Sequence, residues 1–325
     1  MLIAVNYHYI RERFNEPYPS IFGVTPIEFA EQLDVLGKEA TFVGASDVVE
    51  AINGGGGQLP ERAVLITFDD GLAEQFELAW PILKAKGIPA IFFANTKPIE
   101  EDSITATHKI HIVRAYASTQ EILGTIQRFF DEQSLALSLP DVSSACSIYR
   151  YDELEAAQLK YFLNYRIDEP LKDDILNACL ADLDFEERDL SRKLYMSRQQ
   201  LKVLAESDCL GTHSHSHRAL GLLSPEEACN DVELSIRKLY EWTGSNVKAL
   251  SYPFGFYNAC SQAAATAAQD MGVSFAFTTE RAVNPDLRSP MFLARYSCSD
   301  LFPAQTAARR GQIFDGNTIR KWFLS

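Results

Sequence analysis

Four short and almost wholly apolar runs constrain this chain most: LIAVNY at Leu2–Tyr7, AVLITF at Ala63–Phe68, AIFFAN at Ala90–Asn95 and ALSY at Ala249–Tyr252. Runs of this length without polar alternation read as strands covered on both faces, and helical patterns lie between them. After the first run, Thr25 caps a helix, Pro26 takes its first position, Glu28 closes a capping box, and Gly37 reads as its stop. A second pattern runs from about Ala73 to Lys86, with Gly87 as its cap. TFVG and FAFTT read as further short strands, and Ser224, Pro225 and Glu227 open another capped helix that ends near Gly244. Repeated strand–helix units of this kind predict a parallel sheet wrapped by helices, an α/β barrel.

The rhythm breaks between about Thr96 and Tyr195, where the chain is mostly helical. Ser118 and Glu121 form a capping box, followed by an apolar stripe at Ile122, Ile126, Phe129 and Phe130. Two more helices are expected around Asp152–Tyr165 and Lys172–Leu183. The chain therefore divides into a barrel, residues 1–96 and 197–325, and a helical insertion, residues 97–196. The insertion leaves the barrel directly after AIFFAN, so it is expected to emerge from the catalytic face and shape substrate access. Its apolar stripes must be buried against the barrel, against each other or against a second subunit, the last giving a homo-oligomer through the insertion. His108 and His111 share a helical spacing inside it, but no carboxylate cluster is near. They read as a polar face or a substrate contact rather than a second metal site.

Net charge is 30 − 44 = −14 and no long basic run is present, which disfavours nucleic acid and anionic membrane surfaces as partners. No stretch has the apolar length needed to insert into a membrane. The N-terminal MLIAVNYHYIRERF lacks the pattern of a secretion signal, and the six cysteines are scattered without a CxxC pair. The expected location is cytoplasmic.

Chemistry concentrates in two places. TFDDG at Thr67–Gly71 ends a buried strand with two adjacent carboxylates, Asp69 and Asp70, where a barrel carries its active site. Neighbours at a strand end point in different directions, so one can bind a metal while the other holds a proton. The plainer reading is helix capping. GTHSHSHRAL at Gly211–Leu220 holds His213, His215 and His217. An extended strand puts all three on one face; a loop with one helical turn converges His213 and His217 and turns His215 away. Gly211 before them and Ser224 after them favour the loop. Two imidazoles and one carboxylate form a three-ligand site with open positions, which suits a catalytic divalent ion such as Zn²⁺.

TFDDG, the HSHSH run and SYPFG at Ser251–Gly255 together resemble the three motifs of the polysaccharide deacetylase family of metal-dependent carbohydrate esterases. The resemblance covers most of Met1–Thr96 and Ser197–Leu301. It implies an irregular (β/α)7-type barrel, here with a large helical insertion. It also implies Asp70, His213 and His217 as ligands of a divalent metal, zinc in the first place, with His215 outside the set. Asp69 becomes the general base. Ser214 braces the histidine loop, and Ser251, Pro253, Phe254 and Gly255 line the substrate groove, with the Phe254 N–H facing the oxyanion.

The chain departs from the family twice. Ser251 stands where the family has the arginine that orients the base, and Arg295 in LARYS is the candidate substitute. No histidine follows His217, so the usual C-terminal general acid is missing. A branch resembling the poly-N-acetylglucosamine deacetylases carries this histidine near the N-terminus after a tyrosine, which points to His8 in NYHYI. The implied reaction is removal of an N-acyl group, in the first place acetyl, from an amino sugar or a surface-polysaccharide precursor. A hydrolase of a non-sugar amide, or an inactive sugar-binding protein, is the alternative.

Overall fold

The computed structural model describes residues 1–54, 58–134, 137, 145, 153–302 and 319–323. Ten strands are present among them: β1 Leu2–Tyr7, β2 Tyr9–Ile10, β3 Gly23–Val24, β4 Thr41–Phe42, β5 Ala63–Phe68, β6 Ala90–Ala94, β7 Leu210–Thr212, β8 Ala249–Ser251, β9 Phe275–Phe277 and β10 Tyr296–Ser297. The main sheet runs in the order β10-β1-β5-β6-β7-β8-β9, with every pair parallel, and β4 pairs with the start of β5. Leu293, just before β10, bridges to β9: the Thr278 N–H donates to its carbonyl at 2.8 Å, and its own N–H donates to Ala276 at 2.8 Å. The two ends of the sheet thus meet through Leu293, which curls it into the irregular (β/α)7 barrel.

The pleat sorts each strand into two columns. Ile3, Val5 and Tyr7 of β1, and Val64, Ile66 and Phe68 of β5, join one buried cluster with helix residues such as Phe29, Leu33, Leu83, Leu204 and Ile236. The alternate residues Leu2, Ala4, Ala63, Leu65, Ile91 and Phe93 join a second cluster with Ala249, Phe275 and Phe277. Phe93 and Phe277 belong to non-adjacent strands, yet their rings stand 6.2 Å apart. The second cluster is therefore the barrel interior. Continued by the period of two, its columns climb from apolar to polar: Leu2, Ala4, Asn6, His8 on β1 and Ala63, Leu65, Thr67, Asp69 on β5. The register pairs Asn6 with Thr67. Polar chemistry accordingly gathers at the C-terminal rim.

Two local expectations change. The first helix, Pro26–Glu39, has the Thr25 capping box but runs through Gly37 rather than stopping there. A Cβ at residue 37 would lie 3.1 Å from the Phe42 ring, so the glycine serves close packing. The helix after β5 opens with a wide π turn, Gln75–Ala79, before Trp80–Lys86 and the left-handed Gly87 cap.

The chain forms two compact units. One comprises Met1–Glu12, Gly23–Glu101 and Arg192–Ser325; the other comprises Arg13–Phe22 and Asp102–Ser191. In the second unit the helices Ala106–Tyr116, Thr119–Glu132, Leu154–Tyr165 and Glu169–Asp182 bury apolar residues including Val113, Ile122, Ile126, Phe162, Ile175 and Leu176. Phe130 and Phe162 bring two of these helices together, with ring centroids 6.1 Å apart. Lys109 is fully buried there and is held by Asp173 at 2.6 Å, Glu187 at 2.9 Å and the Asn177 carbonyl at 2.6 Å. His108 is buried against Thr105 Oγ1 at 3.2 Å, and its ring centroid lies 6.1 Å from that of His111. No described helix is long and apolar enough to cross a membrane.

Candidate active site

The rim of the barrel separates the two adjacent carboxylates. Asp70 has φ 78° and Gly71 φ 64°, and a Cβ on Gly71 would press to 3.0 Å from Ala94 Cα and Cβ. Only glycine fits that approach at that backbone angle. The turn leaves Asp69 facing β1 and β10, and sends Asp70 toward the loop after β7.

Asp69 is buried and heavily held. Arg295, arriving just before β10, donates from Nη1 to its Oδ1 at 2.8 Å and from Nη2 to its Oδ2 at 2.6 Å. Asn6 Nδ2 adds a third hydrogen bond at 2.9 Å. The same guanidinium reaches Ser251 Oγ at 3.0 Å and Asn6 Oδ1 at 3.2 Å. Arg295 therefore reaches the carboxylate alongside Ser251. His8 stands at the end of β1 with its Nε2 3.9 Å from Asp69 Oδ2 and its side chain 46% exposed. Burial alone would raise the Asp69 carboxyl, but Arg295, with His213 and His8, outweighs it and holds the group at about 2.

That depression has a sign. The group is ionised in the folded state down to about pH 2 and has an ordinary value of 3.8. The stability it contributes, about 2 kcal/mol, is present above pH 4 and is lost as pH falls through 2. In urea unfolding, the margin by which the wild type exceeds Asp69→Asn should therefore shrink between pH 5 and pH 2. A constant margin would assign the destabilisation to something other than the lost charge.

Asp70 meets two histidines. Its Oδ1 lies 3.5 Å from His213 Nε2 and 3.2 Å from His217 Nε2. Three ligand atoms, one from each residue, lie within 4.8 Å of one another, the only such group of His, Cys, Asp and Glu found among the described residues. His213 Nδ1 is 2.7 Å from the Ser251 carbonyl oxygen. A carbonyl only accepts, so Nδ1 carries the hydrogen and Nε2 offers its lone pair to the cluster. Burial opposes charge on His213, but Asp69 and Asp70 outweigh it and raise its pKa. Buried imidazole nitrogens and a carboxylate oxygen at this spacing form a donor set that fits a divalent cation such as Zn²⁺.

The histidine loop reaches this arrangement without a helical turn. Ser214 and His217 both take left-handed backbone, with φ 68° and 57°, and the His217 N–H donates to Ser214 Oγ at 3.2 Å. His215 turns away: its N–H donates to Asp231 at 2.7 Å and its Nδ1 lies 2.9 Å from Thr96 Oγ1. Burial lowers its pKa. Phe254 also has positive φ, 61°, and packs its half-exposed ring 5.1 Å from that of His217. Gly255 follows at φ 58°, where a Cβ would lie 2.7 Å from Thr279 Cγ2. Non-glycine residues held left-handed cost about 1–3 kcal/mol each and collect at functional sites. Asp70, Ser214, His217 and Phe254 all lie in the three sequence motifs.

Asn6, Thr67, Gln75 and Asn95 were not singled out by the sequence. Asn6 and Thr67 are polar residues inside apolar strands, two positions before His8 and Asp69, and that interruption is a readable signal. Asn95 donates to the His213 carbonyl, and Gln75 binds two strand-end carbonyls. Neither has a sequence signature.

A parallel barrel with a buried Asp–Arg pair and an Asp–His–His cluster at its C-terminal rim defines an α/β-barrel hydrolase. Residues 56–127 and 189–276 match the family model described as polysaccharide deacetylase. The chain belongs to that family and is a carbohydrate deacetylase-type hydrolase acting on amide bonds. Solved structures share the fold at low identity. IcaB from Ammonifex degensii is 20% identical with a TM-score of 0.54, covering 91% of each chain. The Streptococcus pyogenes deacetylase PplD in complex with acetate is 15% identical with a TM-score of 0.53, again over 91% of each. The BpsB deacetylase domain from Bordetella bronchiseptica is 15% identical with a TM-score of 0.52, covering 91% of this chain and 95% of the other. A search of curated proteins gave no match.

Proposed function

We propose that this protein removes the N-acetyl group from an amino-sugar residue of a surface polysaccharide or its precursor, using a divalent cation held by Asp70, His213 and His217. The observation that carries the reading is the division of the two carboxylates: Asp70 faces two histidines at 3.2 and 3.5 Å, while Asp69 faces Arg295 and His8. The fold neighbours IcaB, PplD and BpsB support it, two of them described as deacetylases and PplD with acetate, the acid that such a reaction releases.

When bound, the cation supplies Lewis acidity to the amide carbonyl and to water. Asp69 accepts the proton of the attacking water, and Arg295 fixes the direction of its carboxylate. His8 protonates the departing amine, which is a poor leaving group until it carries that proton. Ser251 serves both sides, with its carbonyl fixing the His213 tautomer and its hydroxyl accepting from Arg295. The Arg295 contact weighs against an inactive sugar-binding protein, since the base has its orienting partner.

Two measurements test the assignment. Zinc stoichiometry should stay at the wild-type value in His215→Ala and fall to background in His217→Ala. The reverse pattern would remove the Asp70–His213–His217 assignment. Acetate release from an N-acetylglucosamine oligomer and from an N-acetylated monosaccharide conjugate should require added divalent metal after chelation. The ratio of the two rates then distinguishes a polymer from a small precursor as substrate.

A further inference from the structure

The π turn after β5 begins with a residue that neither motif reading nor metal chemistry uses. Gln75 is completely buried. Its Nε2 donates to the carbonyl of His8 at 2.9 Å and to the carbonyl of Asp69 at 2.6 Å. These carbonyls belong to the ends of neighbouring strands, β1 and β5, and to the residues read above as acid and base. One carboxamide therefore spends both of its hydrogens on holding the two strand ends at a set separation.

The adjacent residue grips the other side of His8. Glu74 Oε1 accepts from the Ile10 N–H at 3.0 Å and its Oε2 accepts from Arg11 Nε at 2.8 Å. The backbone is thus pinned at His8 and again at Ile10 from one place. The wide turn is the local device: the Trp80 N–H donates to the Gln75 carbonyl five residues back. Such turns shift a side chain from its regular helical position and recur at functional sites. A half-exposed imidazole is located by its backbone more than by packing, and His8 is 46% exposed at its side chain.

We infer that Gln75 is a positioning residue for the protonation step, fixing His8 relative to Asp69 so that the imidazole meets the departing amine. The inference rests on the reading of His8 as general acid. Its test separates the two. An N-acetyl amino sugar needs a protonated leaving group; an aryl acetate does not, because a phenolate departs unaided. Attack of water on the carbonyl is common to both. In each case the acyl bond breaks, acetate forms, and the amine or phenolate leaves.

Both substrates would be measured on the metal-loaded full chain. Gln75→Met keeps the reach of the side chain and loses the donors. It should lower kcat for the amide by about tenfold to a hundredfold, at unchanged KM, and change aryl acetate turnover by no more than about threefold. His8→Ala should lower the same amide-to-ester ratio further. If Gln75→Met fails to fold, Gln75→Asn serves, since its shorter amide cannot span both carbonyls and should also lower the ratio. A wild-type ratio in the Gln75 variant beside a lowered ratio in His8→Ala overturns the positioning role alone. A wild-type ratio in His8→Ala overturns the acid reading and the positioning role with it. Equal losses on both substrates in the Gln75 variant make it a general structural residue and overturn the inference.

Discussion

Asp69→Asn should lose about 10²- to 10⁴-fold in turnover while retaining its divalent cation. Asparagine keeps the shape and one acceptor oxygen, so the Asp70, His213 and His217 cluster is left in place. It cannot accept the proton of an attacking water. The substitution also strands Arg295, whose side chain is 1% exposed against 4% for Asp69. A buried guanidinium without its counter-charge costs about 3–5 kcal/mol. The informative experiment therefore measures kcat, metal content and urea midpoint together at a temperature where the variant is folded. Turnover near the wild-type rate in folded, metal-loaded protein would take Asp69 out of the mechanism.

Arg295→Met is the second large effect. It deletes both hydrogen bonds from Arg295 to Asp69 and the contact with Ser251 Oγ, and leaves a buried carboxylate that keeps its Asn6 hydrogen bond but has lost its bidentate cation. Stability should drop by about 3–5 kcal/mol in equilibrium unfolding at neutral pH. The Asp69 pKa should rise from about 2, because burial, which Arg295 now outweighs, then prevails. Ser251 is the position at which the family carries its own arginine, and its hydroxyl is 3.0 Å from the Arg295 guanidinium. Ser251→Arg in the Arg295→Met background should therefore recover part of both stability and turnover. No recovery in a folded, metal-loaded double variant would mean that the direction from which Arg295 approaches, and not only its charge, matters.

The fold was legible where local signals agreed. Continuous apolar strands, capping boxes at Thr25, Ser118 and Ser224, and Gly87 and Gly244 at helix ends all mark elements that the structure contains. The residues of the candidate site were legible through three motifs taken together, TFDDG, HSHSH and SYPFG, since the carboxylates alone read as well as helix caps. What brings them together was not. A helical turn was the expected route to converging His213 and His217, but the loop instead uses left-handed backbone at Ser214 and His217, which sequence periodicity does not encode. Asn6 and Gln75 escaped for a related reason. Their partners, Asp69 and the His8 carbonyl, lie 63 and 67 residues away, so the contacts depend on strand register and on a π turn. The Arg13–Phe22 segment escaped too. Its membership in the helical unit rests on tertiary contacts such as the Tyr18 N–H to the Ala115 carbonyl at 3.1 Å, not on composition.

The pairing of β1 with both β5 and β10 has a consequence for synthesis. The ribosome releases Asp69 long before Arg295, which follows it by 226 residues. At some 5–20 residues per second that interval lasts on the order of ten seconds or more. Throughout it the nascent barrel has an open edge at β1 and a carboxylate whose cationic partner does not yet exist. In that state Asp69 keeps its charge at least cost in contact with water, and burial before Arg295 arrives favours its neutral form. The last strand then supplies the missing stave, and Arg295 just before it supplies the counter-charge, so that sealing the barrel and pairing Asp69 are one event.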